Sequence, residues 1–502
     1  MLINAELLLQ YQRCKRRPYL DTHGDFRDKD AVNDLLVKLQ QDRITYQANI
    51  LANWRVVQPQ YHRGNLPAAM GATLELMEQG VECIHQGVLI GKYADKYTLV
   101  SRPDLLVKQP GVSRFGDWVY EPIGVELGKR PKQEYQVVVA FHAQILAAVQ
   151  QAAVDTGWLI LRGKEGSYPV DLGKWVPQMG KIIQEYIQTL ESEEAPEVFI
   201  SRQKCTLCPW YSTCYAIAQS QKHLSLLPGV TPVRYAQLQG LDITTLESLA
   251  ATHPTELENL PGFDSRVAPK LILQAKAVYE NRPLILLGDD GEDNEDDMVD
   301  MSLNKRNGIN HHDSPIELYF DIEAQPDLNL DYLLGVLVMD RQNHTEKFYS
   351  LLAETPADEK VIWQQFLDLV NQYPDAPIYH FCVYEVDTVK RLAKQYRTPY
   401  SDISPILNRF VDVYEKLTQT VALPVESYAL KTIARWLGFE WRDKEASGAK
   451  CIYWYDQWLK TGDRTLLETI QRYNEDDCRA TRSVKDWLVE FLQNMEKYPS
   501  PY

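Results

Sequence analysis

The sequence lacks any long apolar run. No stretch approaches the ~18 consecutive apolar residues of a membrane-spanning helix, and the first residues, Met-Leu-Ile-Asn-Ala-Glu, carry no basic segment ahead of an apolar one. Cysteine is also scarce, and 8 cysteines in 502 residues do not suggest a disulfide framework. We therefore expect a cytoplasmic protein without a membrane partner.

Positive charge is in deficit as well. The chain has 53 Lys and Arg against 69 Asp and Glu, a formal net charge of -16. One acidic stretch, residues 289–300, supplies eight carboxylates and about half of that net charge. Basic clusters remain at residues 13–17 and 129–132. Because local patches decide phosphate binding, the net charge does not exclude a nucleic-acid partner.

Length and composition divide the chain into parts. A chain of 502 residues is too long for one core and suggests about three domains. Residues 284–314 are acidic and poor in apolar residues, which predicts a linker. We predict domains at residues 1–222 and 315–495, with a helical connector at 223–283. The alternation of strands and helices after residue 315 indicates an α/β fold.

Four cysteines have the spacing of a ligand set. Cys205, Cys208 and Cys214 lie within ten residues, and thiolates at this spacing bind an ion or cluster that needs a fourth ligand. Cys14, in a basic setting, suits that role. The pattern predicts a 4Fe-4S cluster, with structural Zn2+ as the alternative. The other cysteines are scattered and are expected to be small buried residues: Cys83, Cys382, Cys451 and Cys478.

Of these four cysteines, one lies near the start of residues 1–222 and three lie near the end. This layout resembles that of the RecB-like and CRISPR-associated nucleases of the PD-(D/E)XK superfamily that carry an iron–sulfur cluster. The resemblance implies a PD-(D/E)XK-like α/β domain whose two ends are joined by the cluster. Its active site, however, matches that superfamily only in part.

Asp104 corresponds to the first metal-binding Asp of the PD-(D/E)XK superfamily. The acid-x-Lys signature that should follow falls on Gly124 and Glu126, so both functional side chains are replaced. A shifted register would need Lys at position 128, which is Gly128, and Lys129 is one position away from it. We therefore expect a degenerate nuclease site that includes Asp104, Glu126 and Lys129, in a domain that grips nucleic acid.

Residues 223–283 contain short turns rich in glycine between apolar-periodic helices. Leu-Pro-Gly occurs twice, ending at Gly229 and Gly262. The pattern resembles a helix-hairpin-helix module, whose backbone N–H groups hold a phosphate without reading sequence. Few basic residues lie near these turns, so a helical spacer with glycine C-caps is the alternative.

Acidic side chains recur at three places in residues 315–495. The apolar strand Leu-Tyr-Phe-Asp-Ile-Glu places Asp321 and Glu323 on one face, where only cations relieve the cost of two buried carboxylates. Glu385 lies where a later buried strand, predicted at residues 376–381, ends and a helix begins. Tyr473 and Asp477 are spaced i, i+4 and so share one helix face, whereas Asp476 is turned away by about 100°.

This set resembles the DEDD exonucleases in their Tyr-containing (DEDDy) subtype, which have an RNase H-like fold. Glu385 stands where that family usually has Asp, and Asp387 is a less well placed substitute. The resemblance implies two Mg2+ or Mn2+ ions held by Asp321, Glu323, Glu385 and Asp477. It also implies that Tyr473 orients the attacking water.

The resemblance further implies a 3'-5' exonuclease that releases nucleoside monophosphates. No base-reading element is evident, so the expected partner is single-stranded DNA or RNA without sequence preference, with DNA favoured. Two alternatives stay open: the N-terminal domain is itself an active nuclease, or the whole chain is a non-catalytic nucleic-acid-binding adaptor. Protein partners cannot be predicted.

Overall fold

The computed structural model describes residues 2–32, 34–62, 64–94, 96–286 and 314–497. Most of the predicted linker, residues 287–313 with the acidic stretch, lies outside the described residues. The chain divides into two compact units, Met1–Ile217 and Ala218–Tyr502. Within the described residues, no helix is both long and apolar enough to cross a bilayer.

The first unit contains a five-stranded sheet and a smaller three-stranded sheet. The strands of this unit, in chain order, are β1 Leu2–Asn4, β2 Cys83–His85, β3 Leu89–Tyr93, β4 Tyr97–Ser101, β5 Leu105–Ser113, β6 Gly116–Glu126, β7 Gly157–Leu161 and β8 Ser167–Val170. Its helices are α1 Ala5–Arg13, α2 Arg16–His23, α3 Asp34–Leu51, α4 Leu66–Glu78, α5 Gln133–Gln150, α6 Leu172–Glu191, α7 Arg202–Cys205 and α8 Tyr211–Ser220, the last crossing the boundary.

In the five-stranded sheet the strand order is β2-β5-β6-β7-β8, and the smaller sheet has the order β1-β4-β3. Strands β6 and β7 are parallel, so the chain must cross over between them, and α5 makes that connection. Apolar residues occur on nearly every face of α5, and most of the helix is buried. The sheet and α5 thus form the core of the first unit.

The second unit contains the connector and the C-terminal domain. Its strands are β9 Leu284–Ile285, β10 Ile316–Gln325, β11 Leu330–Asp340, β12 Thr345–Leu352, β13 Ile378–His380, β14 Phe410–Asp412 and β15 Val421–Ala422. Its helices are α9 Pro232–Gly240, α10 Leu246–Ala251, α11 Val267–Glu280, α12 Glu359–Asn371, α13 Tyr384–Gln395, α14 Tyr400–Leu407, α15 Val413–Thr420, α16 Leu430–Trp436, α17 Gly448–Thr461 and α18 Arg464–Lys497.

The C-terminal sheet has the order β12-β11-β10-β13-β14. The pairs β10–β11 and β11–β12 are antiparallel, while β10–β13 and β13–β14 are parallel. Helix α18 packs on β10 and β11, and α12 packs on β11 and β12. Because helices cover this sheet, most residues of β10 and β11 are buried. The predicted α/β class is confirmed.

The connector packs on the C-terminal sheet domain. Strand β9 pairs with β15, and Gln274 of α11 donates 2.6 Å to the Leu423 carbonyl. The two Leu-Pro-Gly turns have positive φ at Gly229 and Gly262, +89° and +86°, which only glycine adopts easily. Arg234 joins these turns by donating to the carbonyl of each glycine.

The scattered cysteines are not all buried. Cys83, Cys451 and Cys478 are buried as predicted, whereas Cys382 is only partly buried. Cys382 lies between β13 and α13, outside the regular strand and helix, with φ +78°. The prediction of a buried small residue is therefore wrong for Cys382.

Candidate metal centre

Strand β10 and helix α18 bring three carboxylates together. Asp321 and Glu323 project from the same face of β10, and Asp477 faces them from α18. One oxygen from each of the three lies within 4.8 Å of the others. These three side chains therefore form a compact group that could hold a metal ion.

Burial and mutual repulsion make this group unfavourable without cations. Glu323 and Asp477 are buried. Burial raises the pKa of Asp321 well above its ordinary value, and the charges of Asp477, Glu323 and Glu385 raise it further. Burial and the charge of Asp477 likewise raise the pKa of Glu323. Divalent cations would relieve this cost, since carboxylate oxygens are their preferred ligands.

Glu385 lies beside the compact group. It is buried in the first turn of α13, directly after β13 and its turn, while Asp387 is exposed. Among the described residues, none donates a hydrogen bond to Glu385 Oε2. The nearest cationic candidate is His380, whose Nδ1 lies 3.5 Å from this oxygen but donates 2.6 Å to the Cys382 carbonyl. Burial raises the pKa of Glu385, and His380 opposes that shift.

Two aromatic side chains orient Asp477. Trp441 Nε1 donates 2.7 Å to Asp477 Oδ1, and Tyr473 lies one turn before Asp477 on α18. Burial raises the pKa of Asp477, and the nearby Trp441 and Tyr473 donors lower it. Burial raises the pKa of Tyr473, so its phenol keeps its proton. The neighbouring Asp476 is instead bound by the backbone N–H and the Nε of Arg442.

Asn474 and Gly335 were missed by the sequence analysis. Asn474 is fully buried and its Nδ2 donates 2.6 Å to Asp321 Oδ2. Gly335 lies opposite Asp321 in β11, and a Cβ there would come within 1.7 Å of Asn474 Oδ1. Glycine is thus required where the amide approaches the strand. The available signal was a polar residue next to Tyr473 on the buried face of a helix.

Lys431 was also missed. It lies on α16 with its Nζ over the Tyr473 ring, 4.7 Å from the centroid, and 5.4 Å from that of Trp441. Burial lowers the pKa of Lys431, and the negative charge of Asp477 opposes that shift. A single lysine in the otherwise mostly apolar stretch Tyr-Ala-Leu-Lys-Thr-Ile was the only signal in the sequence.

The predicted degenerate site of the first unit is arranged differently. Asp104 Oδ1 accepts 2.8 Å from Gln47 Nε2, and Asp104 Oδ2 accepts 2.6 Å from the Val125 N–H. Arg43 lies 3.5 Å from Glu126, whose pKa is raised to about 7 mainly by burial. Lys129 is exposed in the turn after β6. Asp104 and Glu126 are brought near each other, but protein groups already occupy the oxygens of Asp104.

The four predicted cysteine ligands line one small cavity. Cys14 follows α1, Cys205 ends α7, Cys208 follows one turn later and Cys214 lies in α8. Arg16, Arg17 and Trp210 line the same cavity. Burial raises the pKa of Cys214 to about 11, and Arg16 opposes that shift. The N- and C-terminal ends of the first unit therefore meet at these thiols.

Comparison with known proteins identifies the class of the C-terminal domain. Residues 318–489 match the family model of the RNase_H superfamily, so this domain is RNase H-like. No curated protein matches the chain. Among solved structures, the crystal structure of SSO0001 matches at 12% identity, covering 43% of this chain and 86% of that chain, with a TM-score of 0.24, which is too low to inform fold or function.

Proposed function

We propose that the C-terminal domain is a two-metal 3'-5' exonuclease of the DEDDy subtype that acts on single-stranded nucleic acid, with DNA favoured. The observation that carries this proposal is the group of Asp321, Glu323 and Asp477, with oxygens within 4.8 Å of one another in a buried site. RNase H-like domains are commonly metal-dependent nucleases, and this acidic group is what such chemistry requires.

The ligand set fits two divalent ions. Asp321, Glu323 and Asp477 would hold one Mg2+ or Mn2+, and Asp321 with Glu385 would face the second. Such ions supply Lewis-acid activation of a water and stabilise the leaving 3' oxygen. Asn474 and Trp441 hold Asp321 and Asp477 in place by the hydrogen bonds described above.

Tyr473 suits the role of orienting the attacking water. Its hydroxyl lies near enough to Asp477 to lower the pKa of that carboxyl, and burial, which raises the pKa of Tyr473, keeps the phenol protonated. A neutral phenol donates one hydrogen bond and accepts others, so it can hold a water beside the carboxylates. The order Asp-x-Glu, Glu385, Tyr-x3-Asp along the chain supports the DEDDy assignment.

For the first unit we propose a nucleic-acid-gripping role and a 4Fe-4S cluster bound by Cys14, Cys205, Cys208 and Cys214. In tetrahedral zinc sites the sulfurs are about 3.8 Å apart, given a Zn–S distance of about 2.3 Å. Among the described cysteines, no three sulfurs lie within 4.8 Å of one another. That wider spacing favours a cluster over a single Zn2+.

The proposed activity can be tested with 3'- and 5'-labelled single-stranded DNA and RNA in Mn2+. The proteins compared are wild type, Asp321→Ala and Asp104→Ala. Each variant removes one strand-associated carboxylate, the first in the C-terminal domain and the second in the first unit. Shortening from the 3' end that is lost only in Asp321→Ala supports the proposal. Cleavage lost only in Asp104→Ala would assign the chemistry to the first unit. Metal-independent binding without cleavage would identify an adaptor.

A further inference from the structure

The ammonium group of Lys431 is held at the edge of the carboxylate group by neutral partners. It donates a hydrogen bond to the Ala446 carbonyl. It also lies over the rings of Tyr473 and Trp441, at 4.7 and 5.4 Å from their centroids. Trp441 donates a hydrogen bond to Asp477, and Tyr473 lies one turn before Asp477 on the same helix and lowers its pKa. The same side chains that orient the carboxylate therefore also position the cation.

Lys431 differs from the other cations of this domain. Lys485 lies 2.6 Å from Glu317, and Arg442 lies 2.8 Å from Asp476. In the part of the chain that the structure describes, no carboxylate oxygen lies within 4.0 Å of Lys431 Nζ, although its charge acts on Glu323 and Asp477. Its positive charge faces the site without being neutralised by direct contact.

A charge balance indicates what this cation meets. Four carboxylates balance two divalent ions, so a phosphodiester entering the site brings a negative charge that the metal centre does not cancel. An ammonium group is a compact phosphate ligand, and charge-assisted hydrogen bonds are strong where burial lowers the local dielectric. Lys431 has N–H groups beyond the one bound to Ala446 with which to make such a bond.

We propose that Lys431 is a catalytic residue that binds a non-bridging oxygen of the scissile phosphate. This assignment rests on the proposed exonuclease function. In the reaction, the water oxygen forms a bond to phosphorus, the bond to the 3' oxygen breaks, and that oxygen leaves with a proton. Lys431 stays protonated throughout and stabilises the charge on the phosphate oxygens as it develops.

The alternative is that Lys431 only offsets the carboxylate charge when no metal is bound. The two roles predict the same effect on metal affinity and differ in their effect on substrate binding. Removing a cation beside a metal site relieves repulsion, so divalent binding should be unchanged or tighter in either case. Only a phosphate ligand should also contribute to the salt dependence of nucleic-acid binding.

The test uses the full-length protein with the variants Lys431→Met, Lys431→Gln and Lys431→Arg. Gln can still donate to the Ala446 carbonyl, which keeps a folded uncharged variant available if Met destabilises the site. Lys444→Met, the loss of an exposed lysine paired with Glu440, is the matched control. Thermal melting first establishes which variants are folded. Binding of a single-stranded oligonucleotide is measured in Ca2+ over a range of salt concentrations, and cleavage is measured in Mn2+.

We expect kcat/KM to fall by about 10²-fold in the uncharged variants, with partial recovery in Lys431→Arg. The slope of log Kd against log salt should decrease by about 0.7, the contribution of one phosphate contact on a single strand. Mn2+ affinity should not decrease. An unchanged salt slope, a loss of Mn2+ binding, or equal effects in Lys444→Met would overturn the assignment.

Failure of the proposed function gives a different result. If the wild type binds the oligonucleotide in Ca2+ but does not cleave it in Mn2+, the exonuclease proposal fails, and the salt slope alone then decides whether Lys431 binds phosphate. If the wild type binds no single strand at all, both proposals are overturned.

Discussion

Each of the two units carries a pair of carboxylates that are at least partly buried, Asp104 with Glu126 and Asp321 with Glu323, and the two pairs have different partners. In the first unit, Asp104 accepts hydrogen bonds from Gln47 and from the Val125 backbone, and Glu126 lies near Arg43. In the C-terminal domain, three carboxylates converge within 4.8 Å, and among the described residues none donates to Glu385 Oε2.

This contrast separates a carboxylate used for folding from one kept available for a ligand. A buried carboxylate costs free energy unless donors or cations satisfy it. Asp104 has those donors within its own unit. The C-terminal group has raised pKa values and few protein donors, so added cations would lower the cost of burying it.

The test of this contrast with the largest expected effect is the loss of the proposed exonuclease activity. Asp321→Ala removes the carboxylate shared by the proposed metal sites. We expect the rate of 3'-end shortening to fall by about 10³-fold, which is the upper limit of what one electrostatic group contributes. Asp104→Ala should leave the rate within about twofold, because its oxygens are occupied by Gln47 and Val125. Equal losses in the two variants would contradict the contrast.

The second test uses Glu317, a buried carboxylate of the C-terminal domain that has cationic and hydrogen-bond partners within the protein. Burial alone would raise the pKa of Glu317, but Lys485, Tyr319 and Arg341 hold it below its ordinary value. Removing one partner of such a buried pair costs about 3–5 kcal/mol, so Glu317→Gln should lower the free energy of unfolding by about that amount at pH 7. Glu346→Gln, at a surface cluster with Arg479 and Arg482, should cost about 1 kcal/mol or less.

The pH dependence of that cost has a defined sign. Because the folded-state pKa of Glu317 is depressed, the ion pair stabilises the protein above the ordinary pKa of glutamate, about 4.3. That stabilisation is lost as the pH falls through the lower folded-state value. Chemical denaturation of wild type and Glu317→Gln should therefore show a difference that is full at pH 7 and shrinks below about pH 4. A difference that grows in acid would exclude the ion pair as its source.

The third test concerns Asn474, which orients the proposed metal ligand Asp321 by a hydrogen bond. Asn474→Ala removes the hydrogen bond to Asp321 Oδ2. Loss of a partner that orients a metal ligand typically costs 10- to 100-fold, so Mn2+ affinity should fall by about 10-fold or more. Titration calorimetry on the folded variants measures this affinity. Gln471→Ala, one turn away on α18 with a partner at Ser350, is the control and should leave it unchanged.

The parts of this site that the sequence predicts are local. Asp321 and Glu323 are two residues apart on a strand, and Tyr473 and Asp477 are four apart on a helix, so the periodicity of each element places them on one face. The alternation of strands and helices predicts the α/β class, and the resemblance to the DEDD exonucleases implies the RNase H-like fold; both are confirmed. The roles of the four site residues stay predictions.

The parts that could not be predicted depend on contacts between distant segments. The need for glycine at position 335 becomes evident only when Asn474 of α18 lies against β11. The packing of α16 and its following loop on α18 places Lys431 over the Tyr473 ring and lets Trp441 donate to Asp477. No spacing rule connects such positions, since their separation along the chain carries no periodicity.

The smallest expected effect compares the two carboxylate pairs without metal. In EDTA, burial and repulsion place the folded-state pKa of Glu323 above its unfolded value. The folded protein then binds protons more tightly, and its stability decreases as the pH rises from about 4 towards that raised pKa. Glu323→Gln should remove this decrease and be more stable than wild type at pH 8 by about 1 kcal/mol or more, since each pKa unit corresponds to about 1.4 kcal/mol.

Mn2+ should reverse the order of stability at the C-terminal site, because it stabilises wild type and has little to bind in Glu323→Gln. Asp104→Asn serves as the matched variant in the first unit, and its Mn2+-induced rise in Tm should equal that of wild type. A stabilising effect of Mn2+ that depends on Asp104 would show that the first unit also holds a metal. The two carboxylate pairs would then differ in degree rather than in kind.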